Sequence, residues 1–157
     1  MRPPFVVALV LAAALGCGEG AGAGDLTLEL GAGETAYAPL ADFTELPLVA
    51  GPQGGHHVWI AMRATGLRGP SVELTVDAIP QGAGDAPRRL PVRTVFREGE
   101  DGVWERFGWP AEIPDAPCFI GEEVLVRVTL EAGGASADDE RIVIPTDGPG
   151  VGGCLAD

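Results

Sequence analysis

The 157-residue sequence predicts an all-β chain, an antiparallel β-sandwich of immunoglobulin or fibronectin type with roughly seven to nine short strands. Three observations carry that expectation. Apolar residues recur at every second position over several stretches, the period of a strand with one buried face. Gly, Pro and Asp clusters punctuate those stretches at 51–55, 66–70, 80–87, 97–102 and 131–140. Beyond the first sixteen residues, no run of ten keeps a helical period without a Gly or Pro breaking it. The disulfide framing of a true immunoglobulin domain, Cys–Trp–Cys, is absent.

Taken in order, the chain divides into a signal at 1–16, a tether at 17–25 and a sandwich at 26–157. Met1 and Arg2 form a short positive region, and residues 5–15 (FVVALVLAAAL) are uniformly apolar. Eleven residues are too few to cross a bilayer core, which takes about 20 in a helix. The run ends in Ala14-Leu15-Gly16-Cys17. That ending resembles the lipobox of bacterial lipoproteins, although Ala14 stands where that family more often has Leu. The resemblance implies cleavage before Cys17, diacylation of its thiol, palmitate among the acyl chains, and acylation of the new amine. An ordinary secretory signal would leave Cys17 an incidental thiol. Two or three acyl chains anchor stably where one binds only marginally. Gly18 in place of Asp after the Cys implies, by the same resemblance, the outer membrane of the cell envelope, with the domain facing either side of it. Residues 18–24 (GEGAGAG) are small and polar, a flexible tether with a reach on the order of 15 Å.

Within the sandwich the clearest strands are three. Val58, Ile60, Met62 and Ala64 alternate with His57, Trp59, Ala61 and Arg63. Val72, Leu74, Val76 and Ala78 alternate with Ser71, Glu73, Thr75 and Asp77. Val124, Val126, Val128 and Leu130 alternate with Glu123, Leu125, Arg127 and Thr129. Shorter strands are expected at 26–30, 34–38, 45–50, 89–96, 103–107 and 141–145. Cys118 and Cys154 remain as an even pair in an oxidising compartment, which predicts a disulfide. No CxxC pattern makes them a redox pair.

Gly51-Pro52-Gln53-Gly54-Gly55-His56-His57-Val58-Trp59, with ELGAGETAYAPLAD upstream, is similar to a group of small Gly-rich lipoproteins of myxobacteria and related bacteria. The likeness runs from Leu28 to Val76 and implies fold and location, not chemistry. His56 and His57 open a strand and so point to opposite faces, a poor start for chelation, since a copper or zinc site needs convergent ligands. They are nonetheless the first metal candidates, with Met62 or a carboxylate to complete the set. His57, Trp59 and Arg63 share a face and form a candidate partner surface.

Asp138, Asp139, Glu140 and Asp147 suggest calcium by charge, but lack the EF-hand spacing and read as a solvated turn. Trp109 and Phe107 could form an exposed platform that stacks sugars, with Trp104 in the core. Serines lack the GxSxG elbow, and with no Lys the glycines form no P-loop.

The chain has 23 acidic residues against 10 Arg, a formal charge of −13. Loss of residues 1–16 removes Arg2 and no acid, leaving −14. Nucleic acid is therefore not an expected partner, and anionic headgroups would repel the domain. The expected function is a lipid-anchored, non-enzymatic binding or structural module of the envelope, without cofactor, whose partners are membrane lipid through its acyl chains and an envelope protein. The alternative is a metal- or carbohydrate-binding envelope lipoprotein using His56 and His57 or Trp104 and Trp109.

Overall fold

The computed structural model describes residues 25–52, 54–83 and 89–154. The expected signal, Cys17 and the tether up to Gly24 lie outside the described residues. What is described is nearly all strand: β1 (Thr27–Ala32), β2 (Ala38–Pro39), β3 (Thr44–Pro47), β4 (Val49–Ala50), β5 (His56–Thr65), β6 (Ser71–Pro80), β7 (Val92–Val95), β8 (Arg97–Glu98), β9 (Trp104–Glu112), β10 (Val124–Ala132) and β11 (Ala135–Thr146). Two short 3-10 turns, Glu100–Gly102 and Ala116–Phe119, precede β9 and β10.

The strands form two sheets packed face to face, the all-β sandwich the sequence predicts. The first runs β2-β1-β5-β9-β8, with β4 also on β5; the second runs β3-β11-β10-β6-β7. The three clear alternations become β5, β6 and β10, and their apolar rows face one another. Val58, Ile60, Met62 and Ala64 on one sheet meet Val72, Leu74, Val76, Ala78, Val124, Val126, Val128 and Leu130 on the other, all buried. Each large side chain so buried contributes about 1.5–3 kcal/mol.

The structure departs from expectation at five places, each for a local reason. The expected strand at 45–50 is split between sheets. Thr44–Pro47 pairs with β11, then Val49–Ala50 pairs with β5. Pro47 has no N–H to continue the ladder, and Leu48, fully buried at the switch, donates instead to Thr146 O at 3.0 Å. The β3–β11 pair is parallel, so the second sheet is mixed rather than purely antiparallel.

The expected strand at 34–38 is a bend followed by the two-residue β2. Gly33 turns the chain there at φ +135°, where an added Cβ would collide with the Ala36 carbonyl. The strand expected at 89–96 begins only at Val92, after Pro91. The one expected at 103–107 continues to Glu112 through a bulge at Gly108, whose φ is +60° and whose N–H donates to Gly33 O at 3.0 Å.

The broad turn expected at 131–140 shrinks to Gly133 and Gly134. Both have positive φ, and they close a hairpin between Ala132 and Ala135. Asp138, Asp139 and Glu140 are therefore strand residues of β11, not a solvated turn.

Candidate functional site

The outward face of the first sheet is where predicted site residues meet. Cross-strand register sets its membership, because directly opposed residues share a face. On β5, His57 opposes Glu112 of β9 and Val49 of β4, Trp59 opposes Pro110, and Arg63 opposes Glu105 of β9 and Glu29 of β1. Their even-numbered neighbours fill the core, so His57, Trp59 and Arg63 all point outward, as the alternation predicts.

Two small residues notch this face. Gly31 of β1 opposes Ala61 of β5, and Tyr37 lies over Gly31 so closely that an added Cβ would overlap its ring. Ala61 is fully buried although it belongs to the outer row. The guanidinium of Arg63 sits 4.0 Å from the Tyr37 ring centroid, and its Nε donates to Glu105 Oε1 at 2.8 Å. The result is a stacked Tyr–Arg–Glu group in mid-sheet. Burial, with the Glu29 carboxylate adding to it, pushes the Tyr37 phenol up to about 12. Its Oη has no hydrogen-bond partner among the described residues.

Toward the other end of β5, His57 and Trp59 pack edge to face with centroids 4.3 Å apart. His57 is only 8% exposed, and its Nε2 is buried with no partner among the described residues. Burial pushes its pKa down, so the ring is held neutral. A neutral imidazole, an indole and a Tyr-stacked guanidinium on one sheet face suit recognition of a partner through aromatic and charge-assisted contacts.

The remaining candidates are dispersed. His56 lines a separate cleft with Arg89, Glu112, Phe119 and the Cys118–Cys154 bridge, and Arg89 Nη1 donates to Glu112 Oε2 at 2.6 Å. No group of three or more His, Cys, Asp or Glu side chains converges among the described residues. Asp138 and Glu140 take the outer face of the second sheet, opposite Thr129 and Arg127, and Glu140 pairs with Arg127 at 2.9 Å.

Asp139 points the other way. Its Oδ2 accepts from Leu30 N at 2.8 Å across the sandwich, while Oδ1 accepts from Arg141 Nη1 at 2.5 Å. Asp139 and Glu140 are thus engaged by Leu30, Arg141 and Arg127, Asp138 is exposed, and the three do not form a metal-binding cluster among the described residues. Asp147 follows β11 as an exposed residue.

Trp104 and Trp109 oppose Ala64 and Ile60 and pack against the core. Phe107 falls on the outward side beneath Arg97, 5.8 Å from its ring centroid, so Trp109 and Phe107 form no common platform. The bulge at Gly108 is what separates them.

Sequence reasoning missed Tyr37, Glu105 and Arg106. Gly31 and Ala61, small residues inside strands, are the trace Tyr37 leaves in the sequence. Arg106 opposes Met62 on the inward face, stacked 5.5 Å from the Trp109 ring, with its Nε buried and unpartnered among the described residues. No protein-family model, curated protein or solved structure matches the chain.

Proposed function

We propose that the chain is a lipid-anchored protein of the cell envelope that works as a non-enzymatic binding module, presenting the outward face of its first sheet to a protein partner. The observation that carries this reading is the grouping of Trp59 and Arg63, both partly exposed, with Tyr37, Glu105 and the buried His57 on one sheet face. Rigid aromatic and Arg side chains held by neighbours lose little entropy on binding, which is why such residues dominate interfaces.

Residues 5–17 support the anchor: an apolar run too short to span, ending at a Cys in a lipobox-like setting. Acyl chains would hold the domain against the repulsion that its own negative charge meets at an anionic surface. Residues 18–24, six Gly or Ala and one Glu, separate Cys17 from the domain by an rms distance on the order of 15 Å for a Gly-rich linker, which keeps the domain near the anchor.

The test has two arms. Cys17→Ser is expected to move the exported protein from the membrane fraction to the soluble fraction, and unchanged membrane retention would overturn the anchor. Cross-linking of the tagged, lipidated protein in cells is expected to recover a reproducible envelope protein, and Trp59→Ala with Arg63→Ala to abolish its recovery. Recovery undiminished by both substitutions would overturn the assignment of this face.

A further inference from the structure

The second sheet ends in an edge of unusual composition. β7 pairs with β6 on one side, and no strand of the described residues covers its other side. Phe96 N donates to Pro70 O at 2.8 Å, in line with the β6–β7 register. Alternation along an antiparallel ladder then turns the peptide groups of Val92 and Thr94 toward β6. The N–H and C=O of Arg93 and Val95 are left pointing away from the sheet.

Around this open ladder stand Leu90, Val92 and Val95, which are 83%, 50% and 59% exposed. The charge is also out of character. Residues 89–95 carry Arg89 and Arg93 and no acid, in a chain of 23 acids against 10 arginines; Arg89 is bonded to Glu112, which leaves Arg93 as the charge beside the open ladder. Arg93 is 78% exposed, and its carboxylate contact among the described residues is Glu73 at 3.5 Å.

We propose that the β7 edge is a docking site for an extended, acidic and apolar segment of a partner polypeptide, which adds to the second sheet as a further strand. Main-chain bonds to Arg93 and Val95 supply the pairing; apolar side chains on the core-side face of the added strand cover Val92, and carboxylates on its other face meet Arg93. The net charge of the domain does not forbid this, because exposed charges more than about 8 Å apart are largely screened at physiological salt. A second copy of β7 fits worse, since it would bring Arg93 of one chain to Arg93 of the other. The short strand, Pro91 and Arg93 also restrict pairing to partners of opposite charge. This inference shares with the proposed function only the premise of a polypeptide partner. It concerns the other sheet.

The probe is a labelled peptide of about ten residues alternating Val and Glu, set against its Val and Lys counterpart, with the full acylated chain in detergent. Binding is read by fluorescence anisotropy, and the contact by amide hydrogen exchange. The Val/Glu peptide is expected to bind, and to slow exchange at Arg93 and Val95 by about fivefold or more. Its affinity is expected to fall about tenfold in Val95→Pro, which removes an outward N–H from an edge position that tolerates proline. Exchange in the unsubstituted chain stands as the reading if that variant folds poorly.

Absence of Val/Glu binding, equal binding of the Val/Lys peptide, or unchanged exchange at Arg93 and Val95 would each overturn the proposal. Protection confined to Trp59 and Arg63 would overturn it while leaving the first-sheet reading intact. Self-association in the ultracentrifuge that Val95→Pro abolishes would overturn it in favour of a second copy.

Discussion

His57 stands on the outward side of β5 yet is only 8% exposed, between the Trp59 ring and the turn that begins at Gly51. Desolvation is the largest influence on it and lowers its pKa; Glu112 and Glu34 pull the other way without reversing the shift. The sign of the stability effect follows. Between the lowered folded value and the ordinary value of about 6.5, the unfolded chain binds a proton that the folded chain refuses, so stability rises with pH in that window. It is fully present above about pH 6.5 and is lost as pH falls through the folded pKa. His57→Phe keeps a ring against Trp59 and removes the titration. Urea unfolding at pH 7.5 and pH 5.0 is expected to show a larger loss for the natural chain than for His57→Phe; equal losses would contradict the buried neutral imidazole. Protonation of His57 would also disturb its packing against Trp59, so binding through this face is expected to weaken over the same interval.

At the scale of elements, the β10–β11 hairpin shows how few residues fix a register. Nine cross-strand pairs run from Val124↔Val143 to Ala132↔Ala135, and the turn is Gly133 and Gly134 alone, at φ 57° and 84°. Two positive φ values are what a tight two-residue hairpin needs, because its twist then matches the strands. A Cβ at Gly134 meets no atom within 4 Å, so the cost of substitution there is conformational rather than steric. Gly134→Val is expected to cost about 1–2 kcal/mol by urea unfolding, and Gly134→Asn distinctly less, since Asn tolerates the left-handed region. Equal costs would mean that the turn geometry is not the cause.

The same hairpin marks the limit of what the sequence makes legible. Period two in β5, β6 and β10 and the Gly/Pro punctuation are local signals, and they suffice for the sandwich and for the shared face of His57, Trp59 and Arg63. The length of β11 is not local. Acids at 138–140 look like a turn until Asp139 is seen to accept from Leu30 N, 109 positions away. The split at Pro47 and the bulge at Gly108 likewise depend on partners distant in sequence. Tyr37 enters the site only because Gly31 and Ala61 lie opposite each other across two strands.

At the scale of the molecule, one covalent tie joins parts that hydrogen bonds hold weakly. Cys154 is bridged to Cys118, 36 positions earlier, with Cα atoms 4.6 Å apart. Cys118 belongs to the 3-10 turn Ala116–Phe119, whose Ala116 is in the core. The segment leading to Cys154 leaves β11, passes Gly148 close against the Leu48 carbonyl and packs Val151 on the core. The bond therefore clamps the final described residues over the point where the chain changes sheets, and ties them to the connection between β9 and β10. Closing a loop of this length removes about 3.5–4 kcal/mol of chain entropy from the unfolded state. Cys118→Ala is expected to lower the melting temperature by about 10 °C. Cys154→Ala should match it, and the double variant should lose no more than either single one, because both remove the same loop constraint. Clearly additive losses, or two free thiols in the exported natural protein, would show that the bond is not the source of that stability.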